Sequence, residues 1–417
     1  MANTITTGFK LSTGQDLGTR YVSKDYLIDV YPNILPPGYI TPQLIAWGKN
    51  DLGALGIGNN TSQSSPVQVG TLTTWRTVSA GRDYTLAVKY DGTMWAWGTA
   101  SIYQLPLGYA ISAGSYSSPI QVGALTNWRN VTAGYQNGFA LKSDGTMWAW
   151  GVTGSGLGIG ATGGNYSSPV QVGTLTNWKQ ISTNNAAAFS TTLAVKTDGT
   201  LWAWGNNQTY GLMGLGISST TNYSSPIQVG TLTTWQQVSV AALHWMAVKT
   251  DGTLWGCGAN ANGNLGDGTN ANRSSPVQVG TLTNWKQVAC NFNNTVAIKT
   301  DGTLWVWGNN SFGQLGNNTN GVATSVSSPI QVGTLTNWKY VQVRGYDPTG
   351  GISQGATTIA IKTDGTLWAW GGQNVYGWNG QNNLTSVSSP IQIGTLTTWK
   401  TVSGGDSHIM AIADGSF

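Results

Sequence analysis

Five aspartates of the repetitive part, Asp51, Asp83, Asp267, Asp347 and Asp406, stand outside its recurring motifs and have the most chemistry open to them. Two carboxylates at a defined separation hydrolyse a glycoside. Asp51, Asp83 and Asp406 fall near the two ends of the repetitive part, so closure of a ring would let them approach one another. A hydrolytic triad needs a nucleophile with a histidine partner. The two histidines, His244 and His408, occupy one recurring position instead and read as structural. Cys257 and Cys290 have no metal-site spacing and make no disulfide framework; they read as small buried side chains. The sequence holds no phosphate loop, no Asp-x-Asn calcium loop and no cluster of metal ligands. The expectation is a non-enzymatic protein with no cofactor and no metal.

The elements that position these residues follow from composition and repetition. Only 8% of the 417 residues are charged, against roughly 25% in a typical soluble domain. Glycine (58) and tryptophan (21) are abundant and every acid is an aspartate, which favours turn-rich β structure over helix. A net charge of +4 does not mark a nucleic-acid binder. No run of 18 apolar residues is present, so membrane insertion is not expected. The N-terminus lacks the basic start and apolar run of a signal peptide, although the composition looks extracellular. Release by cell lysis, as for a virion component, would reconcile the two.

Four landmarks recur seven times each. Ser-Ser-Pro ends at Pro66, Pro119, Pro169, Pro226, Pro276, Pro329 and Pro390. A Leu-Thr-Thr/Asn-Trp tetrad ends at Trp75, Trp128, Trp178, Trp235, Trp285, Trp338 and Trp399. Asp-Gly begins at Asp91, Asp144, Asp198, Asp251, Asp301, Asp364 and Asp414. Ala-Trp-Gly or a variant ends at Gly48, Gly98, Gly151, Gly205, Gly258, Gly308 and Gly371. Strand A follows the tetrad tryptophan, and strand B ends just before Asp-Gly, a strong hairpin signal. Strand C carries the Trp-x-Trp pattern, and Ser-Ser-Pro opens strand D, where a missing N–H is tolerated. Four antiparallel strands repeated radially make a propeller blade. The chain starts with strands C and D and finishes with A and B. The halves complete one shared blade and leave no orphan edge. The expected fold is all-β: a seven-bladed propeller over residues 43–417 behind an N-terminal arm, residues 1–42.

The units resemble the RCC1-like repeat family. The resemblance is carried by Val78-Ser79-Ala80-Gly81, by Asp91-Gly92-Thr93-Met94-Trp95-Ala96-Trp97-Gly98, and by Gly308-Asn309-Asn310-Ser311-Phe312-Gly313-Gln314-Leu315-Gly316. It implies a seven-bladed propeller. The family's usual histidine position holds His244 and His408 in two blades only, with Tyr84, Asn137 and Asn294 in others. Its name-giving activity, nucleotide exchange on a small GTPase, resides in specific loops that do not transfer here. The segment Gly8 to Tyr26 resembles the N-termini of structural proteins from tailed cyanophages.

Strand order divides the ring into two faces. The B–C turns and D–A connections share a nearly constant face. The A–B and C–D loops share a variable one, where binding usually sits. Candidate contacts there are Tyr103, Tyr109, Tyr116, Tyr210, Arg344, Tyr346, Asp347, Tyr376 and Trp378, mostly stiff aromatics with a polar tip. The constant face carries Lys89, Lys142, Lys196, Lys249, Lys299 and Lys362 before the turns, and Arg76, Arg129, Lys179, Lys286, Lys339 and Lys400 after the tetrads. This mildly basic ring would suit an acidic partner.

The arm offers Phe9, Leu11, Arg20, Tyr21, Tyr26 and Tyr31 as anchoring residues. The leading expectation is a virion structural protein. It would hold other virion proteins through the arm and constant face, in several copies per particle, and display the variable face to a host surface glycan or protein. The alternatives are an intracellular interaction scaffold and a carbohydrate-active enzyme.

Overall fold

The computed structural model describes residues 42–101, 103–108, 114–152, 156–184, 190–207, 210–218, 220–321, 324–343, 356–372 and 374–415. Among these residues the strands form seven antiparallel four-stranded sheets. Blade 1 has strand A at Trp75–Ala80, B at Tyr84–Lys89, C at Met94–Thr99 and D at Ser115–Gln121. Blades 2 to 6 repeat this order, with strand A starting at Trp128, Trp178, Trp235, Trp285 and Trp338. The closing blade, blade 7, takes C (Pro42–Gly48) and D (Gln63–Thr73) from the front of the chain, and A (Trp399–Gly404) and B (His408–Asp414) from its end. Pro42 pairs with Asp414 and Gly48 with His408, so the ring is sealed by seven continuous backbone partners.

The apolar core lies between blades rather than on the axis. Seven clusters each join two neighbours, as where Leu193, Val195 and Leu201 of blade 3 meet Trp235, Val238 and Trp245 of blade 4. Polar groups lash the same junctions in three layers. Near the axis, Gln180 Nε2 donates to Val238 O at 3.0 Å while its Oε1 accepts from Val238 N at 3.0 Å, and Gln237 and Gln287 repeat this on Val288 and Val341. Deeper in, a strand C or B tryptophan donates Nε1 to a carbonyl of the preceding C–D loop, as Trp97 does to Ala54 at 2.9 Å. At the rim, the C–D loop donates to the Ser-Ser carbonyl of the next strand D, as Gly58 N does to Ser117 O at 2.7 Å. Pairing buried backbone and strand indole donors in this way explains why Trp-x-Trp and Ser-Ser-Pro recur together.

Six of the seven Asp-Gly pairs make the expected hairpin. Asp91 Oδ1 accepts from Thr93 N (2.9 Å) and Thr93 Oγ1 (2.6 Å), and that hydroxyl accepts from Trp95 Nε1 (2.9 Å). The seventh differs. Asp414 is the last residue of the final strand, pairs with Pro42 and is salt-bridged to Lys400 at 2.8 Å. Strand C of its blade is Pro42–Gly48, from the front of the chain.

Five of the twelve bases expected on the constant face are withdrawn from it. In blades 2 to 6 the lysine before the turn is buried, 5–8% exposed, with its ammonium 3.5–3.8 Å from the centroid of the first strand C tryptophan ring. The tetrad indole lies 4.8–5.2 Å away on its other side. Burial lowers the pKa of these ammoniums and the turn aspartate opposes it. Each sandwich contributes about 1–2 kcal/mol of cation–π attraction. The closing blade loses both partners together, with Ala413 in place of the lysine and Ile45 in place of the tryptophan. These five lysines therefore belong to the fold and not to a docking surface, while Lys89 of blade 1 is half-buried with its ammonium 5.5 and 5.9 Å from the Trp95 and Trp75 rings.

Candidate functional site

A cavity of about 310 Å³ on the axis of the ring is lined by strand A of every blade. Its polar side chains are already engaged across the junctions: Gln180, Gln237 and Gln287 as above, and Ser79 and Ser403 on the backbone N–H groups of Ala133 and Ala80. The channel is an axle whose donors and acceptors serve the blades.

The recurring histidine position is a further inter-blade tie. Thr295 Oγ1 donates to Asn264 O at 2.8 Å, so it accepts from His244 Nε2 at 3.1 Å. His408 and Thr85 repeat the arrangement at 2.7 Å, with Thr85 donating to Ala54 O. Tyr84 and Asn137 use the same slot to reach Asn137 O and Ser190 Oγ. Burial holds the His244 pKa down to about 3, and its Nδ1 is buried without a partner. The unfolded chain therefore binds a proton below about pH 6.5 that the folded chain refuses, and stability falls as pH drops from there toward 3. The slope attributable to His244 approaches about 1.4 kcal/mol per pH unit. His244→Asn, the residue at Asn137 and Asn294, removes one proton's worth of that slope in urea titrations at pH 7, 6 and 5. An unchanged slope would mean that His244 is protonated in the fold.

The charge of the variable face gathers at the closing blade. Lys49 Nζ is 3.2 Å from Asp51 and lies 5.6 Å from the Tyr376 ring. Burial alone would lower its pKa, yet Asp51, Asp83 and Tyr376 carry it above the ordinary lysine value. Arg82 Nε is 3.4 Å from Asp83, and its guanidinium stacks 4.4 Å over the ring of Tyr135, whose hydroxyl it also meets. Ser407 Oγ donates to Arg82 O at 2.6 Å and Asp406 N donates to Gly81 O at 3.2 Å, which ties the loops of blades 7 and 1 together. The track Tyr376, Lys49, Asp51 and Asp83, Arg82, Tyr135 thus crosses blades 6, 7, 1 and 2. The closing geometry does bring Asp51 and Asp83 to one lysine. Each is salt-bridged to a base of its own loop, an arrangement for presenting alternating charge. Arg82 and Tyr135 carried no sequence signal beyond sitting in A–B loops; their stacking is a tertiary fact.

Of the aromatics expected on this face, Tyr103, Tyr116, Tyr210 and Tyr376 are half-buried. Tyr103 sits at a positive φ of 62°. Tyr116 packs against the cores on both sides of blade 1. Trp378 does not offer contact area: it is 1% exposed, packs in the core between blades 6 and 7, and donates Nε1 to Ser407 O at 2.6 Å. A large indole next to an apolar junction is withdrawn from water. Tyr109, Arg344, Tyr346 and Asp347 lie outside the described residues, as do the arm residues Phe9, Leu11, Arg20, Tyr21, Tyr26 and Tyr31. Cys257 and Cys290 are buried and unpaired, and burial raises both thiols, that of Cys290 to about 12.

Comparison with known proteins agrees with this architecture. The model of the Regulator of chromosome condensation (RCC1) repeat matches residues 43–88, 198–248, 251–298, 301–345 and 364–412, and a second model of that repeat matches 285–314. The ultraviolet-B receptor UVR8 of Arabidopsis thaliana is 30% identical over 230 residues, 54% of this chain and 51% of that protein. The mitochondrial RCC1 domain-containing protein RUG3 of the same plant is 24% identical over 257 residues, 55% of this chain and 57% of that protein. The chain spans about half the length of these two relatives. Among solved structures, human WBSCR16 superposes with a TM-score of 0.75 at 19% identity, covering 90% of this chain and 100% of that one. Prp20p of Saccharomyces cerevisiae superposes with a TM-score of 0.74 at 18% identity, covering 95% of each. Those two likenesses bear on the fold alone. With the repeat model covering more than half of its length, the chain belongs to the RCC1 repeat family.

Proposed function

We propose that this propeller is a protein-interaction scaffold whose variable face engages a partner at the closing blade. The observation that carries the reading is the Tyr376–Lys49–Arg82–Tyr135 track with its two aspartates, on a chain with only 8% charged residues. Arginine and tyrosine are the side chains that dominate protein interfaces, and alternating charge selects the register of the partner. Relatives of this fold support the class of function: Prp20p is described with its binding to Gsp1p and histones, and in complex with Kap60. Those partners are theirs and none is carried over.

The test is affinity purification of the tagged full chain beside Arg82→Ala/Tyr376→Ala. Partners specific to the wild type and lost from that variant, yet kept by Lys286→Gln on the opposite face, support the reading. Identical partner sets for all three chains would sink it. The finer expectation, a virion component anchored by residues 1–42, rests on the arm's sequence, and nothing in the fold or the relatives adds to it. Immunodetection of the chain in purified particles decides that point.

A further inference from the structure

The corner between blades 1 and 2 on the constant face departs from the repeat at three positions. The residue after the tetrad tryptophan is Arg76 in blade 1 and Arg129 in blade 2, against Lys179, Gln236, Lys286, Lys339 and Lys400 elsewhere. The residue after the strand B lysine is Tyr90 in blade 1, against Ser143, Thr197, Thr250, Thr300 and Thr363 in blades 2 to 6. By strand register Asp414 fills that place in the closing blade. All three departures line a single cavity of about 370 Å³. Seven nearly identical repeats serve as controls for one another, and only here do two guanidiniums and a phenol share a wall.

Two further polar groups belong to residues of this wall. The Asn127 Oδ1 acceptor and the Trp128 Nε1 donor are buried and take no hydrogen bond within the protein. The tetrads Asn177-Trp178, Asn284-Trp285 and Asn337-Trp338 repeat this unmet pair, so the pair belongs to the corner and the arginines to this corner alone. The Arg76 guanidinium carbon lies 5.9 Å from the centroid of the Tyr90 ring. One carboxylate, Asp91, also faces the cavity, but its Oδ1 is committed to Thr93. Lys89 stands behind it over the Trp75 and Trp95 rings. The balance of charge is positive.

We propose that this corner binds an acidic side chain of a polypeptide segment. The guanidiniums of Arg76 and Arg129 take the carboxylate, for which their planar forks are suited. The Tyr90 ring gives the adjoining part of the segment a stiff aromatic face with a polar tip. Inorganic phosphate can occupy the guanidiniums but leaves the Tyr90 ring uncovered. The site lies on the opposite face from the Arg82 track, so neither reading depends on the other.

Isothermal titration of the full chain with acetyl-(Glu-Asp)₄-amide tests the assignment, with oligogalacturonate of equal charge and inorganic phosphate as parallel probes. Arg76→Gln/Arg129→Gln and Tyr90→Thr introduce residues that other blades carry at these positions, so the ring folds. The double arginine variant is expected to weaken peptide binding by about tenfold or more. Tyr90→Thr weakens it less, and Lys286→Gln/Lys339→Gln at another corner leaves it unchanged. Equal binding by the double arginine variant, tighter binding of oligogalacturonate or phosphate than of peptide, or no heat from millimolar peptide would each overturn it.

Discussion

Trp245→Thr is expected to cost the ring about 3–5 kcal/mol, the range for deleting a buried indole. In blade 4 the cross-strand pair Trp245 and Cys257 reverses the arrangement of its neighbours. In blades 1, 3, 5 and 6 a strand B threonine faces a strand C tryptophan: Thr85 and Trp97, Thr192 and Trp204, Thr295 and Trp307, Thr358 and Trp370. The reversed indole does the same work, donating Nε1 to Leu212 O of the preceding loop at 2.8 Å. Cys257→Trp alone crowds two indoles into one slot and costs about 1–3 kcal/mol. Trp245→Thr/Cys257→Trp restores the pattern of the other blades and recovers most of the loss. The coupling read from a urea double-mutant cycle is then about 2 kcal/mol or more. Additive losses would mean that the slot is not shared.

The second large effect is at the turns. Gly252 sits at φ +76°, and a Cβ there would stand 2.1 Å from Thr283 O. Gly252 O also accepts from Trp285 N at 3.0 Å, so this turn is the seat on which the next tetrad rests. Gly252→Ala must shift both and is expected to cost about 3 kcal/mol. Gly280 provides the control, because its φ is +60° but a Cβ would meet nothing within 4 Å. Gly280→Ala therefore costs only the left-handed backbone strain, about 1–2 kcal/mol. Equal losses in the two variants, read as shifts in urea midpoint, would show that contact with the tetrad carries no weight.

Both predictions show which parts of the molecule one dimension could carry. Strand order, hairpins and the split closing blade were legible because each depends on short-range chemistry repeated in step: Asp-Gly for a turn, Trp-x-Trp for a two-sided strand, Ser-Ser-Pro for an outer edge. Asp414 shows the limit of such motifs: it carries the same Asp-Gly pair, yet by strand register it stands one place before the turn aspartates and pairs with Pro42. The roles of Lys142 and Lys249 were hidden. The sequence offers only a lysine before a turn; the sheath needs a tetrad tryptophan about 14 residues earlier and a strand C tryptophan about six residues later to close on it.

The amino-acid sequence alone determined the number of blades, their strand order and the face on which each loop emerges, because a period-two strand with a fixed turn allows a single antiparallel path. What only the tertiary structure decided is which side chains of those loops remain available. Trp378 is drawn into a junction, five lysines are folded under indoles, and Lys49, Arg82, Tyr135 and Tyr376, spread over 328 positions of the chain, are brought into one track by the closure of the ring. Whether a polar or aromatic group is spent inside or shown outside depends on neighbours from other blades, and that information is written in no single repeat.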